Sequence, residues 1–231
     1  MIRRTQLIMS LALALALPGC VDDYGSFYIT KARAADPGCV TPQPATGGIF
    51  LPKGLLDVSQ KRGYLMFPQV ENHMASTSGT AGVELNRVAM REYRVAIDLG
   101  EVPGSYPEHL TKYTELTSGT LEPNGQVVSW LNAVPDGLAA ALATVIPAAV
   151  RPTIVAEVRA FGVRSGSDVE TPPFRFPIEL CNGCLVDLRP TCPTDETTTT
   201  VHKNACGRPQ DELVTCCPTA QGGVTCLQSG S

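Results

Sequence analysis

Between Ile49 and Cys181 the chain alternates apolar and polar residues with a period of two. In PTIVAEVRAFGV the residues Ile154, Ala156, Val158 and Ala160 fall on one side. In FRFPIEL the set is Phe174, Phe176, Ile178 and Leu180, with Arg175 and Glu179 opposite. A strand turns successive side chains to opposite faces, so each stretch predicts a half-buried strand. The polar RSGSDVETP between them predicts a turn and the pair a hairpin. Pro177 has no amide hydrogen, which places it at an edge or a bulge. In NRVAMREYRVAIDLG, Tyr93, Val95, Ile97 and Leu99 share a face, with Arg94 and Asp98 on the other. Val88 and Met90 have the opposite phase, which predicts a bulge or bend near Glu92. GYLMFPQVENHM is rich in β formers, among them Tyr64, Leu65, Met66, Phe67 and Val70. GQVVSWL follows the turn signal Asn124–Gly125 and predicts a short strand, with the sole tryptophan, Trp130, in the core. One helix interrupts the series: Asp136 is the expected N-cap, Leu138, Leu142, Val145 and Ile146 recur at helical spacing, and Pro147 ends it.

These elements predict a mainly β fold, an antiparallel immunoglobulin- or fibronectin-III-like sandwich with one short helix and a disulfide-rich C-terminal region. The sequence divides into residues 1–19, a signal peptide, 20–48, a tether, 49–181, the β-sandwich domain, and 182–231, a cysteine-rich cap. Residues 21–48 contain prolines, glycines and polar residues without a period. Residues 182–231 have few large apolar side chains and include the low-complexity stretch Thr194 to Thr200. So short and polar a segment cannot bury a sufficient core, and disulfides are the usual remedy.

The chain has 9 cysteines. Cys20 stands apart, and the others are Cys39, Cys181, Cys184, Cys192, Cys206, Cys216, Cys217 and Cys226. An even set in an exported protein reads as a disulfide framework. All but Cys39 lie between Cys181 and Cys226, and that odd number cannot pair among itself. Full oxidation therefore ties Cys39 into the C-terminal cluster, with the connectivity left open. CNGC, from Cys181 to Cys184, also admits a thiol redox pair or a metal site. The redox pair needs a helix after the CxxC, which LVDLRPTC does not provide, and zinc needs ligand spacings that are missing here.

At the N-terminus a basic start, Arg3–Arg4, precedes an apolar run from Leu7 to Leu17. The run is shorter than the roughly 20 residues a membrane-spanning helix needs and has the form of an export signal. It closes on Leu17, Pro18, Gly19 and Cys20, which resembles the lipobox of bacterial lipoprotein signal peptides. That resemblance implies a diacylglycerol on the sulfur of Cys20, an acylated amine after cleavage, and attachment to a membrane through the N-terminal lipid. Two or three acyl chains anchor stably where one is marginal. Val21 follows Cys20 in place of the aspartate of the enteric retention signal, so the outer membrane is the expected address. The alternative is a secreted or periplasmic protein cleaved after Ala32-Arg33-Ala34, before Ala35. LPGC, FRFPIELCNGCLVDL and the late Cys216–Cys217 together resemble the uncharacterised cysteine-rich cell-surface lipoproteins of some Gram-negative bacteria. This resemblance implies an address and an architecture, and no activity.

The formal net charge is −4, and loss of Arg3 and Arg4 with the signal makes the mature chain more acidic. Without a Lys/Arg cluster, the acidic balance argues against nucleic acid, whose binding rests on phosphate neutralisation. His73, His109 and His202 form no HExxH, GVRSG is not GxSxG, and neither a P-loop nor GxGxxG occurs. No catalytic residue, metal ligand or cofactor is therefore assigned. Acids such as Glu84, Glu92, Asp98, Glu101 and Glu108 read as solvated surface. The expected function is non-enzymatic, a binding or structural surface protein with a protein or envelope polysaccharide as partner. The alternatives are a hydrolase with carboxylates assembled in a cleft, and a thiol redox or metal protein using Cys181 and Cys184.

Overall fold

A computed structural model describes residues 26–43, 48–77, 84–192, 202–219 and 223–228. The lipobox with Cys20, and Thr194 to Thr200, lie outside the described residues.

The fold is mainly β, in several sheets. The first sheet contains β1 (Phe27–Arg33), β2 (Phe50–Leu51), β4 (Tyr64–Asn72), β7 (Gln126–Val128) and β8 (Leu131–Val134), in the order β2-β1-β4-β7 with β8 also on β4. The second contains β3 (Gly54–Asp57), β5 (Val88–Asp98), β6 (Lys112–Leu121), β9 (Thr153–Arg164), β10 (Ser167–Glu170) and β11 (Phe174–Cys181). Its order is β3-β11-β9-β5-β6, with β10 also on β9. Every pairing in these two sheets is antiparallel except β3 with β11. A third sheet, β12 (Val186–Leu188), β13 (Val214–Pro218) and β14 (Val224–Cys226), belongs to the cysteine-rich segment.

One hydrophobic core joins the two larger sheets. Val70 and Leu131 come from the first, and Val95, Val158 and Ile178 from the second. Full burial of such a side chain contributes roughly 1.5–3 kcal/mol. The alternation in β9 and β11 puts Ile154, Ala156, Val158, Ala160, Phe176, Ile178 and Leu180 in this core. The phase change in β5 is a register irregularity between Met90 and Glu92, seen against both β6 and β9, so that Val88 and Met90 are buried along with Tyr93 and Val95. Two short helices interrupt the strands where one was expected: α1 (Glu108–Thr111), and α2 (Asp136–Leu142), which has Leu138 and Leu142 buried and ends at Leu142, before Val145, Ile146 and Pro147.

Other expectations change as well. Residues 27–33, read as part of a tether, form an interior strand: Phe27, Ile29 and Ala32 are buried, a pattern the polar residues between them obscure. RSGSDVETP is more than a turn, because Ser167–Glu170 folds back on β9 as β10. Asp136 does not cap α2; Pro135 occupies that place, and the Asp136 carboxylate accepts from Gly63 N at 2.7 Å. Pro177 sits inside the sheet, paired with Val155, at the point where β3 begins to pair at Ile178. Leu180 N donates toward the β9 side, to Pro152 O. Pro177, of opposite parity, therefore turns its missing hydrogen to the side that β3 has not yet reached.

The cysteine-rich segment docks through residues 209–211. Asp57 N donates to Pro209 O at 2.9 Å, Asp211 N to Leu55 O at 2.8 Å, and Leu65 N to Gln210 Oε1 at 2.9 Å. Gln210 Nε2 returns a bond to Leu65 O at 3.0 Å, so this loop bridges β3 and β4. The disulfides are Cys39–Cys206, Cys181–Cys184, Cys192–Cys217 and Cys216–Cys226.

Candidate functional site

β6 and β7 are end strands of the two main sheets, so their free edges face one another along one side of the core. The two sheets are strapped together along that side by side chains. Glu115 on β6 accepts from Asn132 N at 2.8 Å and from Asn132 Nδ2 at 3.0 Å, and the Tyr113 hydroxyl donates to Asn132 O. Burial, with the nearby Glu115 charge, pushes the Tyr113 hydroxyl well above its ordinary pKa, so it stays a donor.

Beyond this strap the side opens into a groove of about 770 Å³, lined by β6 from Leu116 to Ser118, by residues 126–130 and by residues 41–43. The local sequence explains the opening on both banks. On one bank, β7 pairs with β4 at Gln69–Glu71 and β8 pairs with it at Tyr64–Met66, which leaves Phe67 and Pro68 without a strand partner on that edge. Ser129 N donates to Pro68 O, so the same edge is where Pro68 lacks a hydrogen to give. The ladder breaks there, and Trp130 leaves it. Trp130 is 54% exposed, which overturns its assignment to the core. On the other bank, two residues of β6, Thr117 and Ser118, stand opposite the single Arg91 of β5, and the neighbouring Leu116 is 82% exposed.

The floor is rigid. Tyr93, buried in the core, shares a 2.6 Å hydrogen bond with Ser129 Oγ. Burial pushes its hydroxyl pKa up to about 12, partly offset by that bond. A polar network runs from the groove across the outer side of the first sheet. Arg33 Nη1 donates to Gln43 O at 2.9 Å and to Gln69 Oε1 at 3.3 Å. Gln69 Nε2 donates to Gln126 Oε1 and to Glu71 Oε1, both at 2.7 Å. Glu71 also accepts from Thr30 Oγ1 at 2.9 Å and lies 2.7 Å from His73 Nε2, while His73 Nδ1 is 2.8 Å from the Tyr28 hydroxyl. Burial raises the Glu71 pKa, but the bonds from His73, Thr30 and Gln69 outweigh it and leave it below the ordinary value. This network holds Gln126 and Gln43 in place at the groove.

Among the described residues none that lines the groove carries a charge, although 17% of the chain is charged. The acids noted in the sequence lie elsewhere. Glu84 accepts from Ser76 Oγ and from Thr77, which holds its pKa at about 2. Glu92 pairs with Arg94 at 2.8 Å, and Asp98 accepts from Gly100 N at 3.0 Å.

Asp57 is where a metal could be held. Its carboxylate and the sulfurs of Cys181 and Cys184 lie within 4.8 Å of one another. The sulfurs are bonded to each other, and the carboxylate is engaged by backbone. Oδ1 accepts from Ser59 N at 2.9 Å and Gly183 N at 2.8 Å, and Oδ2 from Leu185 N at 2.7 Å. Asp57 is fully buried and shapes the CNGC turn around itself. Sequence reasoning missed this residue; the only local signal is an acid inside the apolar stretch GLLDV.

No protein-family model matches the chain, and no curated protein matches its sequence.

Proposed function

We propose that this is an exported lipoprotein, held on a membrane by acyl chains on Cys20, whose β body is a binding module. The observation that carries the binding role is the uncharged groove at Trp130. It has an exposed aromatic platform, hydroxyl and amide groups, and no carboxylate among its described lining residues. A glycosidase-type hydrolase needs two acids flanking its substrate, and the described residues of this groove offer none.

The strand order supports an immunoglobulin-type sandwich. Taking β1, β4 and β7–β8 as strands A, B and E, and β5, β6, β9 and β11 as C, C′, F and G, the sheets read A-B-E and C′-C-F-G. Processing at Cys20 is supported over cleavage before Ala35 by the place of β1. The second cut would remove an interior strand, with Phe27, Ile29 and Ala32 from the core. The disulfides support an oxidising compartment, with the outer membrane as the proposed address.

Thiol exchange or metal binding at Cys181 and Cys184 is the second reading, favoured by the nearness of Asp57. Against it, both carboxylate oxygens are engaged by N–H groups that hold the turn.

Intact mass spectrometry of the protein from the envelope fraction, reduced and unreduced, tests the proposal. The expected mass lacks residues 1–19, includes acyl chains, and rises by two hydrogens for each bridge on reduction. A full-length, unacylated chain in the cytosol with alkylatable thiols overturns it.

A further inference from the structure

We infer that the groove at Trp130 binds a neutral oligosaccharide. The inference rests on reading the body as a binding module and goes further by naming the ligand chemistry.

A pyranose ring presents a patch of C–H groups on its face and a rim of hydroxyls that both donate and accept. The groove matches both. Trp130, Leu116 and Pro42 supply apolar contact, and the Trp130 ring is already half exposed without leaving the fold. Thr117, Ser118 and Gln126 supply hydroxyl and amide groups, which also donate and accept. Gln126 is fixed through its Oε1 by Gln69, so its Nε2 is a donor held in position at little entropic cost on binding. The volume of about 770 Å³ is within the roughly 300–1,000 Å³ range of ligand sites.

Two features separate a glycan from the other occupants of such a groove. Among the described lining residues there is no cation for an anionic polymer to pair with. An extended peptide adding to a sheet edge needs an unbroken row of backbone groups. Here β6 carries its irregularity at Thr117–Ser118, and the opposite bank breaks at Ser129–Trp130. Irregular edges blunt strand addition. A ligand that bonds to side chains is not hindered by either break.

Because Trp130 is the only tryptophan, its fluorescence reports on the groove without a label. The full chain in detergent is titrated with hexaoses of glucose, galactose, mannose and N-acetylglucosamine, with oligogalacturonate, and with an uncharged Ser/Thr/Val peptide. At least one neutral hexaose should shift the emission saturably, and the anionic glycan and the peptide should not. By calorimetry, Trp130→Ala should weaken that binding about tenfold or more, with its thermal midpoint unchanged, and Gln126→Ala should weaken it several-fold. The inference is overturned if no neutral hexaose binds, if oligogalacturonate or the peptide binds as well or better, or if Trp130→Ala binds like the parent. A peptide-only result leaves the binding module standing and removes its glycan. The acyl mass is read independently of all three.

Discussion

The Tyr64 hydroxyl donates to the Asp211 carboxylate, 2.8 Å from Oδ2 and 3.0 Å from Oδ1. This joins a core strand to the cysteine-rich segment. Gly54 makes room for it: a Cβ there would lie 2.7 Å from the Tyr64 ring.

That bond is set in a buried place, with a consequence for pH. Burial pushes the Asp211 pKa up to about 6, although the bonds from Leu55 N and Tyr64 pull it down. The folded state therefore holds the proton more tightly than the unfolded state does, and the resulting stability is fully present below the unfolded pKa. It is lost as pH rises through about 6. Glu71, Glu84 and Glu179 have lowered pKa values and act in the opposite sense, in more acidic solution. Urea midpoints should fall between about pH 5 and 7, and Asp211→Asn, which keeps an acceptor for Tyr64, should flatten that slope. An unchanged slope in the variant removes Asp211 as its source.

Removing the Asp57 carboxylate strands three N–H groups, those of Ser59, Gly183 and Leu185. Only the Leu185 bond is fully buried, and an unsatisfied buried group costs about 1–3 kcal/mol, so Asp57→Ala should destabilise by about that much in urea unfolding. Native protein should show no thiol at Cys181 or Cys184 to an alkylating reagent. If the variant instead keeps its stability and the parent exposes thiols, the CNGC turn is a redox device.

Cys39–Cys206 closes a loop across a sequence separation of 167 residues. Chain-entropy arguments give about 5 kcal/mol for a bridge of that span. The double change Cys39→Ser and Cys206→Ser should approach that loss. The double change Cys216→Ser and Cys226→Ser, with a separation of 10 residues, should cost less. Equilibrium unfolding of both variants gives the comparison.

A chain beginning at Ala35 lacks β1 and should be insoluble or should give no cooperative melt, whereas one beginning at Val21 should unfold cooperatively. Circular dichroism on heating distinguishes them. Equal melts would make β1 dispensable and return the cleavage site before Ala35 to contention.

Trp130→Phe should change stability by less than about 0.5 kcal/mol, as an exposed position allows. Its emission in the parent protein should be that of a solvent-exposed indole. A loss several times larger would put the ring back in the core.

The strands with strict alternation were readable because burial on one face imposes it: β9, β11 and the later half of β5 each bury every second residue. The phase change at Met90–Glu92 was readable for the same reason. β6 escaped notice because its sequence, KYTELTSGTL, is almost all polar, and its inner positions Tyr113 and Glu115 are held by hydrogen bonds to Asn132. β1 escaped because Lys31 and Arg33 interrupt its apolar residues. Trp130 was misplaced because hydrophobicity alone favours burial, and the break opposite Pro68 depends on a partner strand distant in sequence. Parity pointed from Cys39 toward the cluster, but only the folded chain distinguishes Cys206 from its neighbours.

The early start of β1 also sets how the molecule would stand. With lipid on Cys20, only residues 21–26 separate the bilayer from Phe27, at most about 20 Å of chain. Phe27 lies beside Asn72, at the far end of β4 from Tyr64, which carries the Asp211 link. On so short a leash the end of the body at Phe27 and Asn72 would be held close to the bilayer. The Tyr64 end of β4, with its bond to the disulfide-rich segment at Asp211, would lie farther from it.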